Sequence, residues 1–196
     1  MDKKIVFVHI PKAAGASIVR WAKQNKIENF VNGAHRSLSD FKKLYPTVDI
    51  YKSFAITRNT YYRMLSLYNF SKNKNFKVLK QAEVGKRVLL QDEILLIKNQ
   101  IAAWDKGIVY YLDFILDHNF EYHNQIRYIR DVDLIVAYEN LQIDFNKIQE
   151  LTNCYTPLTQ RVHTYKEKAV TNLSSDYVSC IKKHFAEELE FFQYTV

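Results

Sequence analysis

A parallel α/β fold, one β-sheet flanked by helices, follows from three features of the sequence. Short apolar runs rich in β-branched residues recur at residues 4–10, 51–57 and 133–138. Each is followed by a small-residue or polar turn and then by a helical pattern, at 18–25, at 61–69 and from about Asp144 onward. No repeat, low-complexity tract or linker interrupts this order. Strands alternating with helices pair in parallel through right-handed crossovers.

The elements are justified in turn. Residues 4–10 form a buried strand, short and apolar, that stops at Pro11-Lys12. Residues 11–17 are small apart from Pro11 and Lys12 and lead into the first helix. The second strand ends at Thr57, Arg58-Asn59-Thr60 makes the turn, and the helix opens at Tyr61. Asp133 to Tyr138 (DLIVAY) is the third strand, and Glu139-Asn140-Leu141 leads to the next helix. Leu90, Ile94, Ile97 and Ile101 recur at steps of four, three and four residues, which lines one helical face. At the C-terminus, Ser174 or Ser175 caps a helix carrying Tyr177, Ile181, Phe185, Leu189 and Phe192 at helical spacing. Both stripes read as core faces. The expected organisation is a single domain over 1–196 with a helical insertion at about 73–123.

Composition narrows the function. Of 196 residues, 28 are Lys or Arg and 21 Asp or Glu, a formal charge of +7. With 47% hydrophobic and 25% charged residues, the chain is globular rather than disordered. Four Gly and three Pro exclude collagen-like and flexible-linker sequences. Cys154 and Cys180 make no disulfide framework, and no Cys-x-x-Cys or His-Glu-x-x-His pattern suggests a metal. The apolar run 5–10 is too short for a membrane span or a signal-peptide core, so a soluble, cytoplasmic protein is expected. The positive charge leaves nucleic acid, an acidic membrane surface or an anionic substrate as partners.

Two turns suit anions. A loop between a strand's carboxyl end and a helix start presents unpaired N–H groups in a positive potential. In residues 7–21 (FVHIPKAAGASIVRW), Gly15 among Ala13, Ala14 and Ala16 gives room for a phosphate, Lys12 adds charge and Ser17 a hydroxyl. No Walker pattern is present, and an ordinary small-residue turn with a surface Lys accounts for the composition equally well. In residues 54–68 (FAITRNTYYRMLSLY), Arg58 ends a strand, and Tyr62, Arg63 and Ser66 share a helical face. An Arg fork with a hydroxyl suits a second phosphate; a structural ion-pair role for Arg58 is the alternative. Two such turns in one sheet suggest a ligand with phosphates at both ends.

These segments resemble the sulfotransferases that use 3'-phosphoadenosine 5'-phosphosulfate (PAPS), in particular the carbohydrate branch. The first family motif, His-Ile-Pro-Lys-Thr-Gly-Gly-Thr-Ser, corresponds to His9-Ile10-Pro11-Lys12-Ala13-Ala14-Gly15-Ala16-Ser17. The second, Arg-Asn/Asp-Pro-Tyr-x-Arg-x-x-Ser-x-Tyr, corresponds to Arg58-Asn59-Thr60-Tyr61-Tyr62-Arg63-Met64-Leu65-Ser66-Leu67-Tyr68. Gln125, the DLIVAYENL segment and the ELEFFQY ending are fainter echoes. Ala13, Ala14 and Ala16 replace Thr, Gly and Thr, and Thr60 replaces Pro, which removes two loop hydroxyls.

The resemblance implies a P-loop-like, three-layer sulfotransferase-type fold and transfer of a sulfuryl group from PAPS to a carbohydrate hydroxyl, with no metal. Lys12 would contact the bridging and sulfate oxygens, and the loop of Lys12, Ala13, Ala14, Gly15, Ala16 and Ser17 would hold the 5'-phosphate. Arg58 and Ser66 would grip the 3'-phosphate, and Arg161, before the last helix, would fold over the nucleotide. His35 is the candidate base, with Glu28 as runner-up; His9 reads as a packed strand residue. Lys72, Lys74, Lys77, Lys80, Lys86 and Arg87 form a basic stretch that suits an acidic polysaccharide acceptor or a solvated face. Competing expectations are a basic nucleic-acid-binding module, a nucleotide-binding protein without transfer activity, and a kinase-like transferase lacking its Walker motif.

Overall fold

The computed structural model describes residues 3–159 and 173–196. In chain order the elements are β1 (Lys4–Val8), α1 (Gly15–Gln24), β2 (Phe30–Asn32), α2 (Leu38–Leu44), β3 (Ile50–Thr57), α3 (Thr60–Glu83) and α4 (Gln91–Asp105). There follow α5 (Ile108–His123), α6 (Gln125–Ile129), β4 (Leu134–Ala137), a 3₁₀ turn (Tyr138–Asn140), α7 (Leu141–Thr152) and α8 (Ser175–Phe192). The chain forms two compact units, Met1–Asn59 with Asn124–Ala169 and Thr60–His123 with Val170–Val196.

The first unit is a parallel α/β sheet of order β2-β1-β3-β4, flanked by helices. The three strands expected from sequence form at the expected places. Strand β2 was not expected; its three residues are too few to show an alternation. Side chains alternate between faces along a strand, so a strand buried throughout must be covered on both sides. Strand β1 meets that condition, with Ile5, Val6, Phe7 and Val8 all buried. Trp21 of α1 packs edge-to-face on Phe145 of α7, ring centroids 5.1 Å apart, so these two helices share one layer. Arg127 of α6 meets Asp40 of α2 at 2.7 Å, which assigns those two to the other. Right-handed crossovers produce this division, because β1 leads to β2 in one direction and β2 leads back to β3 in the other.

The carboxyl ends of β1 and β3 therefore flank a topological switch point, the place where parallel sheets open a crevice. Register fixes their relation, with Val8 opposite Ala55 and β3 running two residues further, to Thr57. At the opposite edge, Asp133 accepts from Ser53 N at 2.8 Å and from Ser53 Oγ at 2.7 Å, tying β4 to β3.

The second unit is helical. Its core gathers Tyr61, Met64 and Leu67 of α3, Tyr111, Leu112, Ile115 and Leu116 of α5, and Tyr177, Cys180, Ile181 and Phe185 of α8. The C-terminal stripe is thus core, as its spacing predicts, and Ser174 caps α8 by accepting from Tyr177 N at 3.3 Å. Tyr177 donates its hydroxyl proton to Tyr61 O. Burial, reinforced by Asp113, raises the Cys180 thiol to about 11. Helix α4 departs from expectation. Ile94, Ile97 and Ile101 are only half-buried and Leu90, just before the helix, is 70% exposed. Leu95 and Leu96 of α4 are exposed as well, so its apolar face is broad and incompletely covered.

Charge is buried at the centre of this unit. Arg63 is wholly buried, donates to His123 O, and lies 3.4 Å from Glu188, which is 1% exposed. The hydroxyl of Thr60 donates to the same Glu188 oxygen. The expectation that Arg63 shares a ligand-facing side with Tyr62 and Ser66 is corrected here: Tyr62 and Ser66 are half-buried, whereas Arg63 points into the core. Removing one partner of a buried pair strands the other charge. Glu188→Gln is expected to lower the unfolding free energy by about 3 kcal/mol, read from the urea midpoint; a loss near zero contradicts the pairing.

Burial, with the Arg63 charge second, lowers His123 to about 3. A histidine held below its unfolded value of 6.5 binds its proton first in the unfolded chain. Stability is thus complete above pH 6.5 and drains away as the pH falls toward 3. In His123→Gln the acid slope should be shallower by up to about 1.4 kcal/mol per pH unit, measured by urea unfolding at pH 7, 6 and 5.

Candidate functional site

Four loops leave the carboxyl edge of the sheet, and most of the sequence-predicted residues lie on them. The loop after β1 and the first turn of α1 carry Lys12 to Ser17, the loop after β2 carries His35, the loop after β3 carries Arg58, and the 3₁₀ turn after β4 carries Tyr138 and Glu139.

The first loop has an unusual backbone. Lys12 and Ala14 both adopt left-handed conformations, φ 67° and 57°. For residues with a Cβ this costs on the order of 1–2 kcal/mol each. Left-handed residues of this kind can turn N–H groups toward an anion; here Ala13 N donates to Ile10 O at 3.3 Å and Ser17 N to Ala14 O at 2.9 Å. Ala14 also begins α1, with no side chain capping the helix. Lys12 and Ala14 are half-buried, Ala13, Gly15 and Ser17 buried, and Ala16 exposed.

Gly15 has a packing reason besides the one its sequence context suggests. A Cβ there would sit 1.7 Å from His9 Nε2, so the glycine makes room for the histidine ring. His9 stacks on Phe7 with centroids 5.5 Å apart and lies 4.4 Å from the His35 ring. Burial, then the neighbouring His35, lowers His9 to about 4, which keeps it neutral at pH 7. It is a packing residue, as the sequence indicates.

His35 is exposed, and its Nδ1 lies 2.9 Å from His9 O. A carbonyl only accepts, so Nδ1 carries the proton and the neutral ring holds its lone pair at Nε2. Glu28, the other candidate base, lies at the wrong edge. It precedes Phe30, which pairs with Ile5 at the start of β1, so it stands at the amino end of the sheet.

Arg58 joins the loops. A buried Gln125 accepts from Arg58 N and donates to Arg58 O, both at 2.9 Å, fixing the chain where β3 ends. The guanidinium then donates from Nη1 to Lys12 O at 3.2 Å and lies 4.4 Å from the centre of the Tyr138 ring. Asn59 N donates to Glu139 at 2.8 Å. Arg58 thus has structural partners of a different kind from the expected ion pair, a carbonyl and a ring. Gln125, Tyr138 and Glu139 are the positioning residues; in the sequence they were visible only as faint echoes, because their partners lie roughly 70 to 80 residues away.

The remaining candidates lie elsewhere. Ser66 sits in the second unit, half-buried on α3 one turn after Tyr62. Arg161, with Lys166 and Lys168, lies outside the described residues, as does the Lys72 side chain. Lys74, Lys77, Lys80, Lys86 and Arg87 are exposed on α3 and the turn after it. Sequence reasoning missed a surface cleft of about 100 Å³ between α1 and residues 156–159, bordered by Ser17, Arg20 and Trp21. Trp21 Nε1 donates to Thr156 O at 2.9 Å and holds that segment in place.

Searches against protein-family models, curated proteins and solved structures find no match to this chain. Among the described residues, no helix is long and apolar enough to cross a membrane.

Gly15→Ala should destabilise the fold by about 1–3 kcal/mol through the clash with His9. Combining it with His9→Ala should recover part of that loss, a coupling read from a double-mutant cycle of urea midpoints. Strict additivity would show that the two do not meet.

Proposed function

We propose that this chain transfers a sulfuryl group from PAPS to a carbohydrate hydroxyl. The observation that carries the reading is the convergence of the two motifs: Arg58 donates to the carbonyl of Lys12 at 3.2 Å, at the sheet's switch point. Motifs 46 residues apart that meet at one crevice suit one ligand with two anionic ends.

In this reading the 5'-phosphosulfate lies against the left-handed loop and the start of α1, where N–H groups and the helix dipole favour negative charge. The acceptor oxygen attacks sulfur as the bond from sulfur to the bridging oxygen breaks. The acceptor proton passes to Nε2 of His35, and charge developing on the bridging oxygen is offset by the Lys12 ammonium. Adenosine 3',5'-bisphosphate leaves. Arg58 positions the loop through Lys12 and supplies positive charge for the 3'-phosphate. The resemblance assigns Ser66 to that phosphate and Arg161 to the nucleotide, and both assignments rest on sequence alone. The exposed lysines of α3 suit an acidic polysaccharide as acceptor. A cytoplasmic location belongs to the same reading.

Calorimetry with adenosine 3',5'-bisphosphate, ATP and a short oligonucleotide tests the ligand class. Preference for the bisphosphate is expected, and preference for either competitor overturns the reading in favour of another nucleotide or nucleic acid. Lys12→Ala should lower transfer of labelled sulfate by roughly 10²–10³-fold with the urea midpoint little changed. Bisphosphate binding without transfer by the unaltered chain would mark a nucleotide-binding protein that has lost the reaction.

A further inference from the structure

One side-chain cluster of the helical unit includes Cys180 of its core. On α8, Cys180 and His184 are one turn apart and face α5, where Asp113 meets them. Asp113 Oδ1 lies 2.8 Å from His184 Nε2 and 3.8 Å from Cys180 Sγ, and the three donor atoms all fall within 4.8 Å of one another. We propose that Asp113, Cys180 and His184 form a binding site for a zinc-class divalent cation.

The donor set chooses the class. A thiolate and an imidazole exclude the hard, oxygen-seeking cations magnesium and calcium, and with one carboxylate they suit zinc. Distances agree with this. Bonds of about 2.0 Å to nitrogen or oxygen and 2.3 Å to sulfur set tetrahedral ligand atoms roughly 3.3–3.5 Å apart. The sulfur–oxygen separation of 3.8 Å is close to that spacing. The nitrogen–oxygen contact of 2.8 Å is a hydrogen bond that the cation replaces, opening by about half an ångström. Asp113 is able to make that adjustment, since its side chain is 42% exposed while His184 is held at 14%.

Charge and burial fit as well. Thiolate and carboxylate together carry two negative charges, which neutralise a divalent cation beside the core without leaving net charge. Binding releases the thiol proton to solvent as the metal–sulfur bond forms. The helical break in α8 falls at Phe185, just after His184, so the turn that aligns Cys180 with His184 keeps its geometry. Three protein ligands leave a fourth position on the exposed Asp113 side, open to water or to a group from solution. The sequence carries part of this signal, since Cys-x-x-x-His aligns two ligands on a helix. The third ligand lies 67 residues before the cysteine and comes into place only through helix packing.

The test is titration of the chelator-treated full chain with zinc alone, and separately with cobalt(II). Saturable binding at one ion per chain is expected, with a thiolate-to-cobalt charge-transfer band. Cys180→Ser should abolish that band, and Cys180→Ser and His184→Gln should each weaken zinc binding by about 100-fold or more. Asp113→Asn, at the exposed ligand, should weaken it at least tenfold and keeps the test decisive if a substitution on α8 prevents folding. Absence of saturable binding, a cobalt spectrum without the thiolate band, or affinity unchanged by these variants overturns the site. No arm uses a nucleotide, so the result is independent of the sulfuryl-transfer reading.

Discussion

The two hydrogen bonds between the side chain of Gln125 and the backbone of Arg58 are the constraint on which the candidate site depends. A strand that ends inside a protein leaves its next N–H and C=O without ladder partners, and burying them unpaired costs several kcal/mol. Gln125 satisfies both with one amide and so fixes where β3 stops. With the backbone held, the Arg58 guanidinium spans from the Tyr138 ring to the Lys12 carbonyl. The loop after β1 is thereby tied to the ends of two other strands. Its left-handed residues are strained, and strain of that kind persists where surrounding contacts over-determine the backbone.

The histidine pair beside this loop shows two uses of one residue type. His9 is enclosed by Phe7 and by the space Gly15 leaves, and burial keeps it neutral. His35 is exposed and is oriented by the His9 carbonyl. One acts through shape, while the other is exposed and held by its Nδ1 against a backbone carbonyl. Gly15 links them, since any larger residue would push the His9 ring from its place between Phe7 and His35.

In the helical unit, Arg63, Glu188 and Thr60 form the corresponding fixed point. Threonine stands where the resembled motif has proline, and its hydroxyl serves Glu188, so the departure brings a buried donor that proline lacks. The first glutamate of the ELEFFQY ending, Glu188, thus has a structural meaning: it neutralises an arginine inside the core. Cys180, His184 and Asp113 lie on the α5–α8 seam of the same core, where helix packing brings a thiol, an imidazole and a carboxylate together.

The sequence by itself determined the local elements and the order of the sheet units. Apolar runs of strand length, small-residue turns and helical stripes act over a few residues, so β1, β3, β4 and α8 were legible from periodicity alone. It also picked out Lys12, Arg58 and His35, because charged residues at strand ends and in polar loops stand out against apolar surroundings. Tertiary structure decided what depends on partners far along the chain. It placed His35 and Glu28 at opposite ends of the sheet, and it turned Arg63 from a supposed ligand-facing cation into a core residue paired with Glu188. It showed that Gly15 also makes room for the His9 ring. Strand β2 was too short to announce itself, and Gln125 has no signature, since an amide is read as a clamp only once the backbone it clamps has arrived. The physical reason is the same throughout: periodicity encodes which face is apolar, while burial, pairing and room for a side chain are fixed by what packs against that face.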